Sequence, residues 1–173
     1  MIFLKTDEEV ELMRASNILL GKTYAEIAKS IQPGVSTAQL DKIAYEFIMD
    51  HGGRPACLGY EGYPATLCTS VNEQVVHGIP SEKQVLKEGD IVSIDLGSKY
   101  HGFHGDSART IGVGKISEDA QKLIDVTGQS FFEGIAAFKN GNRIGDIGYA
   151  IDSYVQSYGF STVKEYVGHG IGH

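Results

Sequence analysis

Displaced by 107 positions, the sequence lies over itself without a gap, and this regularity restricts the available folds more than any other feature of the chain. Gly34 meets Gly141, Leu40 meets Ile147, Ala44 meets Ile151 and Phe47 meets Tyr154. Outside that segment Tyr24 meets Phe131, Ala28 meets Ile135, Ile48 meets Val155 and Gly52 meets Gly159. Two amphipathic helix pairs with glycine stops therefore recur in the same order, through either a degenerate internal duplication or a coincidence between similar patterns. A duplication over about 6–113 and 117–173 implies that a second strand-rich stretch begins near 172. The 173 residues are then expected to be one domain, 1–173, lacking its C-terminal part, because a half-built sheet leaves unpaired edges and an uncovered apolar face.

The element boundaries follow from capping chemistry. Thr6 and Glu9 form a capping box, so a helix is expected from there to about Ile31, with Val10, Met13, Leu20, Tyr24, Ile27 and Ile31 on its apolar stripe; Pro33-Gly34 blocks continuation. Ser36 and Gln39 open a second helix bearing Leu40, Ile43, Ala44, Phe47 and Ile48, closed by Gly52-Gly53. The period then shortens. Ala65–Val71, Val75-Val76 and Ile91–Leu96 read as strands, with a hairpin around Ser98–Gly102 returning along Ser107–Val113. Helices are expected from Ser117 and over Ile144–Tyr158, and Thr162–Val167 is strand-like.

Charge and cysteine usage remove several function classes. Twenty-two acidic against 15 basic residues give a formal charge of −7, which opposes wholesale phosphate neutralisation, so no direct nucleic-acid binding is expected. No window approaches the ~18 apolar residues of a membrane span, and the N-terminal segment turns acidic before any signal-like stretch develops. Cys57 and Cys68 lie 11 positions apart without CxxC spacing, which reads as a cytoplasmic protein without disulfides.

The alternation of Ile91-Val92-Ser93-Ile94-Asp95-Leu96 places Asp95 with Ser93 and Ile91, opposite Val92, Ile94 and Leu96. A hairpin centred near Tyr100 brings Asp106 roughly opposite Asp95. Opposed carboxylates are tolerable if they share a proton, if basic groups flank them, with Arg109 the candidate, or if divalent cations lie between them. The plainer reading is that Asp95 ends a strand and Asp106 sits in a polar turn. Glycine-flanked His77, His104 and His169 suit an imidazole aimed at a metal or substrate, or simply hydrogen-bonded turns. The segment 57–64, with Cys57, Tyr60 and Tyr63, fits a polarizable pocket wall or loop packing against the core.

Taken jointly, ACLGYEGYP (56–64), CTSVNEQVVHGIP (68–80), LKEGDIVSIDLG (86–97), GFHGDSART (102–110) and EYVGHGIG (165–172) resemble the type I methionine aminopeptidases in order and spacing, over nearly the whole chain. The resemblance implies the pita-bread α/β fold, a curved antiparallel sheet backed by helix pairs related by pseudo-twofold symmetry, in a catalytic-type domain. It implies two divalent cations (Co, Mn, Fe or Zn) held by Asp95, Asp106 and His169, and a Na or K ion near Asn72. His77 would hydrogen-bond substrate, and Cys57, Tyr60, Tyr63 and Cys68 would wall the methionine pocket. The implied activity is removal of the initiator methionine from nascent polypeptide N-termini. The implied setting is the cytoplasm, ribosome-associated, with a monomeric full-length enzyme. By the same resemblance a second active-site His and two Glu ligands come after the GHGIG segment, so the 173 residues supply three of five ligand side chains and are expected to be inactive or nearly so. The alternatives are a non-catalytic binding module on this fold and a proline-specific aminopeptidase or dipeptidase.

Overall fold

The computed structural model describes residues 3–173, which form two compact units: one runs through Ile116 and includes Gly170–His173, and the other is Ser117–His169. In the first unit α1 (Asp7–Ala28) and α2 (Thr37–Asp50) each begin on the expected capping box. The Thr6 and Ser36 hydroxyls accept from the amides of Glu9 and Gln39, whose side chains return the bond to the cap amides. Helix α1 stops three residues short of the expected Ile31, its last turn loosening into i,i+3 bonds before Pro33.

Four antiparallel strands follow: β1 (Arg54–Pro55), β2 (Leu67–Val71), β3 (Ile91–Tyr100) and β4 (Phe103–Gly112). Strand β3 is the hub. It pairs with β4 along its whole length and with β1 and then β2 on its other edge. The Val92, Ile94 and Leu96 side of β3 and the Leu67 and Val71 side of β2 are buried with Leu20, Tyr24 and Ile27 of α1 and Leu40, Ala44 and Ile48 of α2. At about 25 cal/mol per Å² of apolar surface removed from water, this layer supplies the main driving force for the unit.

Three expectations are corrected. The hairpin return begins at Phe103, not Ser107, because the turn is only His101-Gly102, both residues having positive φ, a tight turn matched to strand twist. Val75-Val76 is not a strand. Both residues are exposed in a loop, and Gln74 turns the chain by donating its amide to the Val71 carbonyl and accepting the Val71 amide at its side chain. Thr162–Val167 is also without strand pairing. The Val-containing alternation is present at both places, but no neighbouring edge takes up its backbone groups in a ladder.

The second unit holds α3 (Glu118–Ala137), capped as expected by Ser117, and α4 (Ile144–Ser157). Helix α4 begins and ends 107 residues after α2, and each is 14 residues long. The two helices of this unit meet where Gly134 leaves room for Ile151: a Cβ there would lie 2.9 Å from the Ile151 side chain. Among the described residues no helix is long and apolar enough to cross a membrane.

Candidate metal centre and pocket

The register of β3 on β4 determines where the two aspartates lie. Asp95 is opposite Ala108 and Asp106 opposite Gly97, so the carboxylates are not face to face as expected but diagonal on one face of the hairpin, two positions out of step. The two-residue turn causes this offset by pairing Tyr100 with Phe103. Diagonal neighbours stand about 7–8 Å apart at Cα, against about 4.5–5.5 Å for direct opposition, and each aspartate faces a residue too small to fill the space between them. Asp106 is exposed and Asp95 half-buried.

Arg109 does not neutralise the pair as expected. It pairs with Ile94, facing the helices, and its guanidinium lies 5.7 Å from the ring centre of Tyr24. The buried Tyr24 hydroxyl donates to the Ile94 carbonyl (2.9 Å) and is 2.5 Å from that of Ser107, beneath the peptide that leads into Asp95. Burial first, and then the negative charge of Asp95, hold the phenol of Tyr24 well above its ordinary range; Asp106 acts in the same direction and Arg109 against it. Asp95 also disfavours ionisation of Cys57 and Cys68. A region of negative potential thus surrounds the two acids.

Cys68 is opposite Asp95 across β2 and β3 and shares its face. Cys57 lies beside it, its Sγ 3.5 Å from where a Cβ on Gly97 would stand; the Cys57 thiol draws Cys68 down to about 6, and Cys68 together with burial pushes Cys57 up. Tyr63 donates its hydroxyl toward the carbonyls of Leu67 (2.9 Å) and Gly78 (3.1 Å), and burial raises its phenol. Tyr60 occupies a short 3₁₀ turn, Tyr60–Gly62, and is 69% exposed. The start of β2 is fixed by Asp41 of α2, whose Oδ1 accepts the amides of Thr66 (2.9 Å) and Leu67 (2.7 Å); burial raises its carboxyl despite those bonds.

His77 has φ of 59° and is exposed on a loop pinned across β2. The Thr69 amide donates to the Gly78 carbonyl (2.7 Å), and the Gly78 amide donates to Ser70 Oγ (3.1 Å). A Cβ on Gly78 would lie 2.1 Å from the Thr69 carbonyl oxygen, so only glycine permits this approach. The Tyr63 hydroxyl reaches the Gly78 carbonyl, so the His77 loop stands beside Tyr63.

Asn72, at φ 52°, accepts the Ile91 amide at Oδ1 and donates from Nδ2 to Asp90, bracing the start of β3. His169 is exposed in the extended segment after α4 and groups with the second unit. The structure therefore brings together Asp95 with Asp106, and Cys57 with Cys68, Tyr63 and His77. Among the described residues it gathers no group of three or more His, Cys, Asp or Glu side chains as a metal cluster. Sequence reasoning missed two supports, Tyr24 and Asp41. The former was absorbed into the apolar stripe of α1, and the latter carries no local signal because its partners are backbone amides 25 and 26 positions away.

The donor set suits hard divalent cations: two carboxylates on one accessible face, separated by small residues, in a field that already disfavours further negative charge.

Comparison with known proteins agrees with this chemistry. The family model described as metallopeptidase family M24 matches residues 11–173. Methionine aminopeptidases of Clostridium acetobutylicum and Clostridium perfringens are 49% and 51% identical over 172 residues, covering 99% of the chain and 69% of each relative. The crystal structure of methionine aminopeptidase from Rickettsia prowazekii superimposes with a TM-score of 0.97 at 40% identity, covering 99% of the chain and 69% of that protein. The pita-bread α/β architecture expected from the sequence is the one found.

Proposed function

Because the chain belongs to metallopeptidase family M24, we propose that its carboxylate-bearing hairpin is the metal-binding face of an aminopeptidase that removes N-terminal methionine from nascent proteins. The observation that carries the reading is the diagonal placement of Asp95 and Asp106 on one open face beside the Cys57, Cys68 and Tyr63 wall. Asp95, Asp106 and His169 would hold divalent ions, with Mn, Fe, Co and Zn all compatible with carboxylate and imidazole donors. Such ions, when bound, polarise a peptide carbonyl and supply a water nucleophile at neutral pH.

The remaining work falls to the chain. Cys57, Cys68, Tyr60 and Tyr63 wall a pocket for an unbranched thioether, which gains dispersion contacts against sulfur and aromatic edges. His77, held over β2 by Gly78, donates a hydrogen bond that orients the substrate backbone. The Asn72 loop takes a Na or K ion, which stiffens the entry to β3. The two segments 6–113 and 117–173 form one catalytic domain built on an internal repeat, a reading supported by the matched bounds of α2 and α4. The setting is cytoplasmic, at or near the ribosome, and the full-length enzyme acts as a monomer.

A panel of Met-Ala-Ser, Leu-Ala-Ser and Met-Pro peptides with added Mn(II) or Co(II) tests the reading through its selectivity. With the full-length enzyme, release of methionine from Met-Ala-Ser alone is expected. Preferential cleavage before proline would contradict it in favour of a proline-specific enzyme, and binding without cleavage would favour a recognition module.

A further inference from the structure

The excursion from Cys57 to Thr66 leaves and rejoins β3 at neighbouring rungs. At its start the Ala56 amide donates to the Gly97 carbonyl (2.9 Å), and at its end Leu67 pairs with Leu96. The two cysteines stand at these two ends. Between them the chain is folded on itself: the Gly59 amide donates to the Tyr63 carbonyl (2.8 Å), and the Tyr60 amide donates to the Cys57 carbonyl (3.0 Å). Cys57 is half-buried and Cys68 is buried on the Asp95 face, so Cys57 is the more accessible thiol of the two. A Cβ on Gly97 would lie 3.5 Å from Cys57 Sγ, which places Cys57 on the face that Cys68 shares with Asp95, two positions along β3, and neither cysteine is in a disulfide.

We propose that Cys57 and Cys68 are a reversible disulfide site, oxidised by hydrogen peroxide, whose closure shuts the adjacent side-chain pocket. The crosslink itself rests only on the juxtaposition; its effect on binding rests on the pocket assignment proposed above. The half-buried Cys57 sulfur attacks one peroxide oxygen, the O–O bond breaks, and Cys57 becomes a sulfenic acid with release of one water. The Cys68 sulfur then attacks the Cys57 sulfur, the S–O bond breaks, and the hydroxyl leaves as a second water with the Cys68 proton. Two thiols and one peroxide thus give one disulfide and two waters. The pinch at the base of the excursion keeps both side chains on one face at neighbouring rungs, where rotation about side-chain bonds brings the sulfurs toward the roughly 2 Å of a disulfide. The bond removes both sulfurs from the wall and ties down the segment that carries Tyr60 and Tyr63.

The test counts thiols and follows a ligand. Reduced protein takes two iodoacetamide labels; after brief native treatment with hydrogen peroxide it is expected to take none, to yield a crosslinked peptide containing positions 57 and 68, and to regain both labels with dithiothreitol. The Cys68→Ser variant is expected to stop at a sulfenic acid that dimedone captures on Cys57. Labels persisting on both cysteines, or a sulfinic acid without a crosslink, would overturn the site. Saturation-transfer NMR of L-methionine amide is expected to show binding that disappears on oxidation and returns on reduction. An unchanged signal in oxidised protein would overturn the gating. A signal absent from reduced protein would count against the pocket assignment instead, with the label count still deciding the crosslink.

Discussion

Helices α2 and α4 have the same length, yet their surroundings differ sharply. In the first unit Leu40, Ala44 and Ile48 of α2 vanish against β2, β3 and α1. In the second, Val155 is the one fully buried apolar residue of α4, and the apolar faces of the unit leave Phe131 at 61%, Phe138 at 73% and Ile144 at 80% exposed. The helical pattern is equally strong in both. What differs is a second layer: the first unit has a sheet to receive its helices, while the second has only two helices packed on each other at Gly134. An apolar stripe is an instruction to pack, and its energy is realised only where another element meets it.

That contrast predicts unequal mutational costs. Ile94→Ala, which empties a fully buried site between sheet and helices, is expected to cost about 2–5 kcal/mol, whereas Phe138→Ala should change stability by no more than about 0.5 kcal/mol. Urea unfolding measures both. Equal losses would break the comparison by showing that Phe138 is covered in solution.

A smaller effect sharpens the picture within the first unit. Gly78→Ala drives a methyl into the Thr69 carbonyl and should cost about 1–3 kcal/mol, with the His77 loop lifting from β2. Loss of protection at the Thr69 amide in hydrogen exchange reports that movement directly; unchanged protection would mean that the loop is not pinned there.

Tyr24→Phe removes a hydroxyl shared by two carbonyls and is expected to cost about 1–2 kcal/mol. The sign of its pH dependence follows from burial. The unfolded phenol ionises near pH ~10, while the folded one stays protonated to higher pH. The folded state therefore binds more protons above ~10, and its stability falls there; Tyr24→Phe should flatten that alkaline decline.

Much of this fold is legible in the sequence because it is encoded locally. Thr6 with Glu9, Ser36 with Gln39, and Ser117 mark helix starts to the residue, since capping is a contact between positions three apart. The face shared by Asp95 and Ser93 is equally local, a consequence of strand alternation. The register is not. It depends on His101 adopting positive φ beside Gly102, a conformation that histidine does not advertise, and this single turn moves Asp106 from opposite Asp95 to opposite Gly97. Arg109 illustrates the same limit, because its role was assigned by proximity along the chain while its direction is set by the pleat. The meeting of Cys57 and Cys68 on one face, and the Asp41 clamp on β2, arise only after strands have paired, so no window of sequence contains them.

The smallest predicted effect concerns an imperfection of the better-packed unit. Thr69 Oγ1 is buried without a hydrogen-bond partner among the described residues. Thr69→Val should leave the fold intact and be neutral or stabilising by about 1 kcal/mol, read as a rise in the urea midpoint. A clear loss would reveal a partner for that hydroxyl.

The central claim, that the hairpin face bearing Asp95 and Asp106 receives divalent cations, is tested most directly by titrating Mn(II) into isotopically labelled protein and following paramagnetic broadening. Broadening is expected to centre on Asp95, Gly97, Asp106 and Ala108, and to be lost in the Asp95→Asn, Asp106→Asn double variant. Broadening confined to the acidic first turn of α1, at Asp7, Glu8 and Glu9, with the hairpin resonances sharp, would contradict it.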